Sequence, residues 1–242
     1  MMRGCILLAL LPGLALGAKA EASQAIFRTT GAPLGLSTPL QIAAILTLLT
    51  VVPAIIMSIT PFLRIVVVLH FLRQALGTQS TPSNQILIGL ALFLSALVMQ
   101  PVAVEMYRAG WEPLEKGEIS WQTAVEQGGK PLKPFLAKFA REKDVKLFME
   151  ISKSPQPRTP EDLDLRVLIP AYIISELKTG FQIGAVLFLP FLVIDLVVAS
   201  VTLSVGMVQL PPVMLSAPFK ILLFVLVDGW NLVLGSLMKS FQ

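Results

Sequence analysis

The sequence predicts an all-α integral membrane protein: about four apolar, proline-broken helical hairpin segments and one small helical insertion. Three observations carry this. Of 242 residues, 55% are hydrophobic and only 14% are charged, whereas a soluble domain has about 25% charged residues. Mean hydropathy is +0.76, so the chain lacks the polar surface to solvate a ball of its size. The apolar residues also fall in uninterrupted blocks, each long enough to cross a hydrocarbon core of ~30 Å as a helix.

The order along the chain begins with "MMRGCILLALLPGLALGAKAEASQ". Arg3 precedes an apolar run, Ile6 to Leu16, and Ala18-Lys19-Ala20 forms a small-residue site. This is the pattern of a signal peptide over residues 1–20, since the run is too short to span. The alternative is an uncleaved anchor. Cleavage near Ala20 puts residues 21–39 outside the cytoplasm. Cys5 is the single cysteine and His70 the single histidine, which excludes disulfide frameworks and histidine-rich metal sites. The net charge of +4 comes without a dense basic run, so nothing points to nucleic acid.

The first apolar segments occupy 40–104. One runs from Leu40 to Thr60 and continues after Arg64 as "IVVVLHFL"; the next is Gln85 to Val104. Arg64 and Arg73 lie between them with no acid nearby, which places that linker in the cytoplasm. Residues 105–166 differ sharply. They hold most of the charges and "LKPFLAKFAREKDVKLFMEI", whose apolar positions (Phe135, Leu136, Phe139, Val145, Leu147, Phe148 and Ile151) recur at helical spacing. This predicts a solvated helical insertion facing the periplasm, closed by a proline-rich linker at 155–160. The last segments, within 167–242, are Phe181 to Val205 and Val213 to Leu237.

Seven prolines (53, 61, 101, 190, 211, 212 and 218) fall in or beside these blocks. Each removes a backbone hydrogen bond, so broken hairpins that pack against protein are expected. Gly206 and Pro211-Pro212 mark a stiff hairpin tip in "SVGMVQLPPVM". Its methionines serve either as filler in a plain loop or as adaptable side chains at a cavity.

No P-loop, HExxH or GxGxxG occurs, and no cofactor is expected. In "ISELKTGFQIG", Glu176 and Lys178 are two apart and point to different helix faces. Ser175 is placed to cap a helix there. Asp195 and Lys220 are harder to dismiss, because a charge at mid-membrane depth costs a few kcal/mol. Three readings stay open: an ion pair within or between subunits, a proton or ion relay, or snorkelling to the interface.

Taken together, "PAYIISELKTGFQIG", "LPFLVIDLVVASV", "LPPVMLSAPFKILLFVLVDGW" and "TPFLRIVVVLHFLRQALGTQSTPSNQILIGLALFL" resemble the FliP family, core subunits of type III export gates. The resemblance implies a non-enzymatic helical subunit present in five copies, assembled with FliR and FliQ beside FlhA and FlhB. It implies a pore for unfolded flagellar proteins in the bacterial inner membrane and flagellar basal body, driven by the proton motive force and other subunits. It further implies that Asp195 and Lys220 pair between copies, and that Glu176, Lys178, Phe181 and Asp228 belong to an assembly motif. The family carries a methionine run at the hairpin tip as a pore gasket. Here that run reads Met207-Val208-Gln209, so the role passes to Met207 and, with an apolar and an amide replacement, to Val208 and Gln209. A virulence secretion subunit is the sibling alternative, disfavoured by the signal-like N-terminus and the long insertion. An ion-coupled transporter and a poreless scaffold are the competing classes.

Overall fold

A computed structural model describes residues 38–78, 80–153, 163–206 and 211–241. Helices account for nearly all of them, with no strand among the described residues: α1 (Thr38–Ser58), α2 (Phe62–Ala75), α3 (Asn84–Met106), a π-helical turn (Tyr107–Trp111), α4 (Glu112–Glu115), α5 (Trp121–Gly129), α6 (Leu132–Phe139), α7 (Glu142–Ser152), α8 (Leu165–Ser204), α9 (Pro212–Leu226) and α10 (Gly229–Lys239). The signal-like segment and the proline-rich linker lie outside the described residues. The chain divides into two units between Val51 and Val52. The first supplies residues 38–51, the leading part of an apolar helix with Leu46, Leu48 and Leu49 exposed. The second supplies everything below.

The organiser of the second unit is α2. Its apolar residues Ile65, Val68, Leu69, Leu72 and Ala75 recur at helical spacing, and all are fully buried. One part of this stripe joins Leu87 and Ala91 of α3 and Leu237 of α10. The other joins Phe191 of α8 and Phe224 of α9. Across its flank α2 meets α8 where two glycines remove bulk: a Cβ on Gly184 would lie 2.5 Å from the Phe71 ring, and one on Gly180 3.1 Å from Val67.

The third apolar segment begins earlier than its composition suggests. A single helix runs for 40 residues from Leu165, about 60 Å at 1.5 Å per residue and twice the hydrocarbon thickness. Asp164 caps its start, its Oδ1 accepting from Arg166 N at 3.0 Å. Leu168 and Tyr172 then bury against Leu132 and Leu136 of α6. That packing, together with the contact across Gly180, holds the polar first half helical.

Four of the seven prolines break no helix, whereas Pro61 and Pro211-Pro212 stand at helix starts. Pro53, Pro101, Pro190 and Pro218 all sit inside continuous helices. Each costs one hydrogen bond locally, but away from water the rest of the backbone has no better partner than its own helix. The sharp break falls at Val227-Asp228, where α9 and α10 meet at 67°. Asp228 takes the left-handed conformation, φ 51°, and any Cβ on Gly229 would lie 2.3 Å from the Phe224 ring.

The insertion is helical as expected but is not simply solvated. Its predicted amphipathic stretch splits at Ala140-Arg141 into α6 and α7, both packed on α8. Leu136 is fully buried, while Leu147 and Ile151 are exposed. Helix α3 also continues without a gap through the π-helical turn to Glu115, so the change of composition at 105 is not a change of element. Gly110 in that turn approaches α5 so closely that a Cβ would lie 2.4 Å from the Ala124 carbonyl oxygen. Gly110→Ala is therefore expected to push α5 away at a cost of about 1–3 kcal/mol. A lowered melting temperature, with loss of the near-ultraviolet dichroism of the Trp111–Trp121 pair, would register it.

Candidate functional site

Helix α8 carries its ionisable groups in tiers. At the first, Glu176 is fully buried and accepts an ion-paired hydrogen bond from Arg64 Nη2. Arg64 is also buried, in the first turn of α2 three residues after Pro61, where the chain re-enters a helix from the break after α1. Its Nη1 reaches Ser240 Oγ at 3.0 Å and the Ser240 carbonyl oxygen at 3.3 Å. The guanidinium lies 4.1 Å from the Phe241 ring centroid and 5.4 Å from that of Phe139. One side chain thus ties α2, α8, the insertion and the end of α10 together. A planar cation with several donors suits this better than an ammonium does. Arg64 is accordingly buried in the first turn of α2 and not a free loop cation; Arg73, in the last turn, donates to Asn84 Oδ1 at 2.6 Å.

The next tier lies on another face. Ser175, Lys178, Thr179 and Gln182 share one stripe of α8, and all four bind the start of α7. Lys178 pairs with buried Asp144. The Ser175 hydroxyl lies 2.8 Å from both Asp144 Oδ2 and the Ala171 carbonyl oxygen, and it accepts from Arg141 N at 2.8 Å. Arg141 Nη2 donates to Thr179 Oγ1 at 3.0 Å and to Gln182 Oε1. Ser175 therefore fastens the insertion from the helix interior; it is no cap, because the helix began ten residues earlier. Glu176 and Lys178, on different faces, each find a separate partner.

Burial pushes the Asp144 carboxyl up, but the Lys178 ammonium, the Ser175 hydroxyl and Arg141 outweigh it, so the group titrates below the usual aspartate range. A carboxyl depressed in the folded state contributes stability above its unfolded pKa of about 3.9 and loses it as pH falls through the folded value. Docking of α7 on α8 is expected to be constant from neutral pH to about pH 5 and to weaken below about pH 4. Protection factors from hydrogen exchange along α7 would read this. Asp144→Asn should lower protection at neutral pH and flatten the acid response.

The lowest tier joins α8 to α9. Lys220 Nζ reaches Asp195 Oδ2 at 2.6 Å, and the Ser216 hydroxyl donates to the other carboxylate oxygen. Ser216 and Lys220 are one turn apart on α9, and Lys220 is 1% exposed. The cluster of Phe191 with Phe224 continues the same antiparallel contact. The pair expected between copies closes here within one chain, because the hairpin folds α9 back along α8 with 195 opposite 216 and 220.

Phe181 and Asp228 stand apart from these tiers. Phe181 is exposed, with its ring edge-on to Phe71 at 5.6 Å. Asp228 is exposed at the α9–α10 elbow and accepts from Asn231 Nδ2 at 3.2 Å. Met207, Val208 and Gln209 lie outside the described residues; on either side, α8 ends at Ser204 with Gly206 left-handed (φ 80°), and α9 starts at Pro212. Sequence reasoning missed Arg64, Arg141, Asp144 and Ser216 as parts of these networks. The signal for Arg64 was its position, a lone arginine directly after Pro61-Phe62-Leu63 with apolar runs on both sides.

An all-helical membrane protein, its long apolar helices pinned by internal ion pairs, is the class that fold and site define. The chain belongs to the FliP family: the family model matches residues 45–237. It is 49% identical over 209 residues, 86% of this chain and 95% of the relative, to the "Flagellar biosynthetic protein FliP" of Bacillus subtilis (strain 168). Relatives of the same name from Caulobacter vibrioides, 49% identical over 93% of this chain and 85% of theirs, and Pectobacterium carotovorum, 49% over 83% and 78%, match comparably.

Proposed function

We propose that this chain is a pore subunit of the flagellar type III protein export gate, passing unfolded flagellar proteins across the bacterial inner membrane. The observation that carries the reading is the match along most of the chain to proteins named for flagellar biosynthesis. In this reading five copies assemble with FliR and FliQ next to FlhA and FlhB, and the insertion faces the periplasm. The wide apolar exposure of α9, from Met214 and Phe219 to Leu226, supports a chain that buries this surface elsewhere, in neighbouring subunits or lipid. The chain acts without chemistry of its own.

The closure device of this reading is the segment between Gly206 and Pro211. A resting pore must stop ions yet yield to a passing chain. Apolar side chains converging from several copies exclude water at a constriction and are displaced at modest cost. In this reading Met207 and Val208 contribute the apolar side chains of the seal, and Gln209 is their polar neighbour in the sequence. Replacing Met207 and Val208 together by glycine is expected to raise leakage of small solutes through the assembled complex while export continues in part. Unchanged leakage in a fully assembled mutant would remove these residues from the seal.

A further inference from the structure

The structure assigns a binding site for a single ordered water molecule inside the Arg64 clamp, held by Arg64 Nε, Tyr172 Oη and Glu176 Oε2. These are buried side-chain polar atoms without a hydrogen-bond partner among the described residues. Tyr172 and Glu176 are fully buried, and Arg64 is 3% exposed. The three belong to one cluster. Glu176 is ion-paired with Arg64 through its other carboxylate oxygen, and Tyr172 stands one helical turn before Glu176 on the same face of α8. A buried polar atom left unpaired carries the full cost of its desolvation, so three in one place call for a shared partner.

The neighbouring polar side chains are already committed. Arg64 Nη1 serves Ser240 and Nη2 serves Glu176. The Ser175 hydroxyl is taken by Asp144 and the Ala171 carbonyl, and Arg141 Nη2 by Thr179 and Gln182. The Tyr172 ring is fixed among Leu132, Leu136 and Leu168, with the Phe135 ring 6.1 Å away. Charge decides the class of ligand. The guanidinium and the carboxylate cancel and the phenol is neutral, so an ion would bring unbalanced charge into a buried site. Hydrogen-bond polarity then fits water. Its oxygen accepts from Arg64 Nε and Tyr172 Oη, and one of its protons goes to Glu176 Oε2. Three bonds of this kind are typical of a buried water. Bound this way, the water joins the apolar cluster against α6 to the ion pair of α2 and α8, and both oxygens of Glu176 are occupied.

The site depends neither on the export reading nor on how α8 lies relative to a membrane. The test uses the full chain in the assembly purified from membranes, oxidised by hydroxyl radicals from a synchrotron X-ray pulse and mapped by mass spectrometry. The radicals form from irradiated water, so a buried side chain is modified only where a water is held against it. The chain has two tyrosines, and half-exposed Tyr107 is the internal reference for bulk solvent. Tyr172 is expected to be modified despite its burial. A radical scavenger in the bulk should suppress Tyr107 while leaving Tyr172 unchanged within about twofold. Removing two of the three partners together, Arg64→Met with Glu176→Leu, should lower Tyr172 modification about threefold or more in a chain that still assembles. An unmodified Tyr172 in the unaltered chain overturns the site. So does Tyr172 modification that the scavenger suppresses as strongly as at Tyr107, because the source is then bulk solvent entering an opened form. Modification unchanged in the assembled double variant overturns it as well. If the double variant does not assemble, the scavenger comparison on the unaltered chain decides alone.

Discussion

Glu176→Ala is expected to destabilise the fold by about 3–5 kcal/mol, because it strands the buried Arg64 cation without its carboxylate. Arg64→Ala should cost as much, since it strands Glu176 and also releases Ser240 and Phe241. The two changes share one interaction, so their effects should not add. A paired replacement, Arg64→Met with Glu176→Leu, removes both charges and keeps apolar volume; buried ion pairs replaced in this way often lose little or gain stability. It should recover most of the melting temperature lost in either single variant. A double variant no more stable than the singles would show that the guanidinium's contacts to the α10 end, not the ion pair, carry the energy.

Charge reversal at the lowest tier should give a second large effect, with a diagnostic asymmetry. Asp195→Lys and Lys220→Asp each place like charges side by side between α8 and α9, and each should abolish assembly and swimming. Combined in one chain they restore an opposite pair, and part of the function should return; only part, because Ser216 loses the carboxylate oxygen it now serves. Expressed together in one cell on separate chains, the two single variants should not rescue each other, because the pair closes within a chain. Swimming restored by the mixture would place the contact between copies instead.

Sequence patterns reveal some of these elements and hide others for physical reasons. Helix α3 is legible because twenty uncharged residues in a row have few alternatives to a helix in lipid. The start of α8 is not. Lys178, Gly180 and Glu176 look like the edge of an apolar block, and only the partners supplied by α2 and α7, each more than 30 positions away, make them an interior. Prolines mislead in the same direction: the residue rule describes a helix in water, whereas the 67° elbow is set by Asp228 and by the Phe224 ring lying over Gly229. Lys220 and Asp195 were legible as a pair because two opposite charges in adjacent apolar segments have strong reason to meet. Which copy supplies each is a matter of hairpin register, and composition does not encode register.

The Arg64 clamp has a consequence for the timing of synthesis. Its ionic partner is 112 positions downstream and its last hydrogen-bond partner 176. At translation rates of about 5–20 residues per second, the arginine waits on the order of ten seconds for Glu176 to be made, and longer for Ser240. Throughout that interval α2 carries an uncompensated cation on an otherwise apolar face, so it cannot settle into a dry environment in the order in which it is translated. Helix α2 must stay hydrated, or held by the insertion machinery, until α8 arrives, and the whole unit closes only when the final turn of α10 is delivered. A chain stalled before residue 240 then leaves the Arg64 guanidinium without its Ser240 and Phe241 contacts.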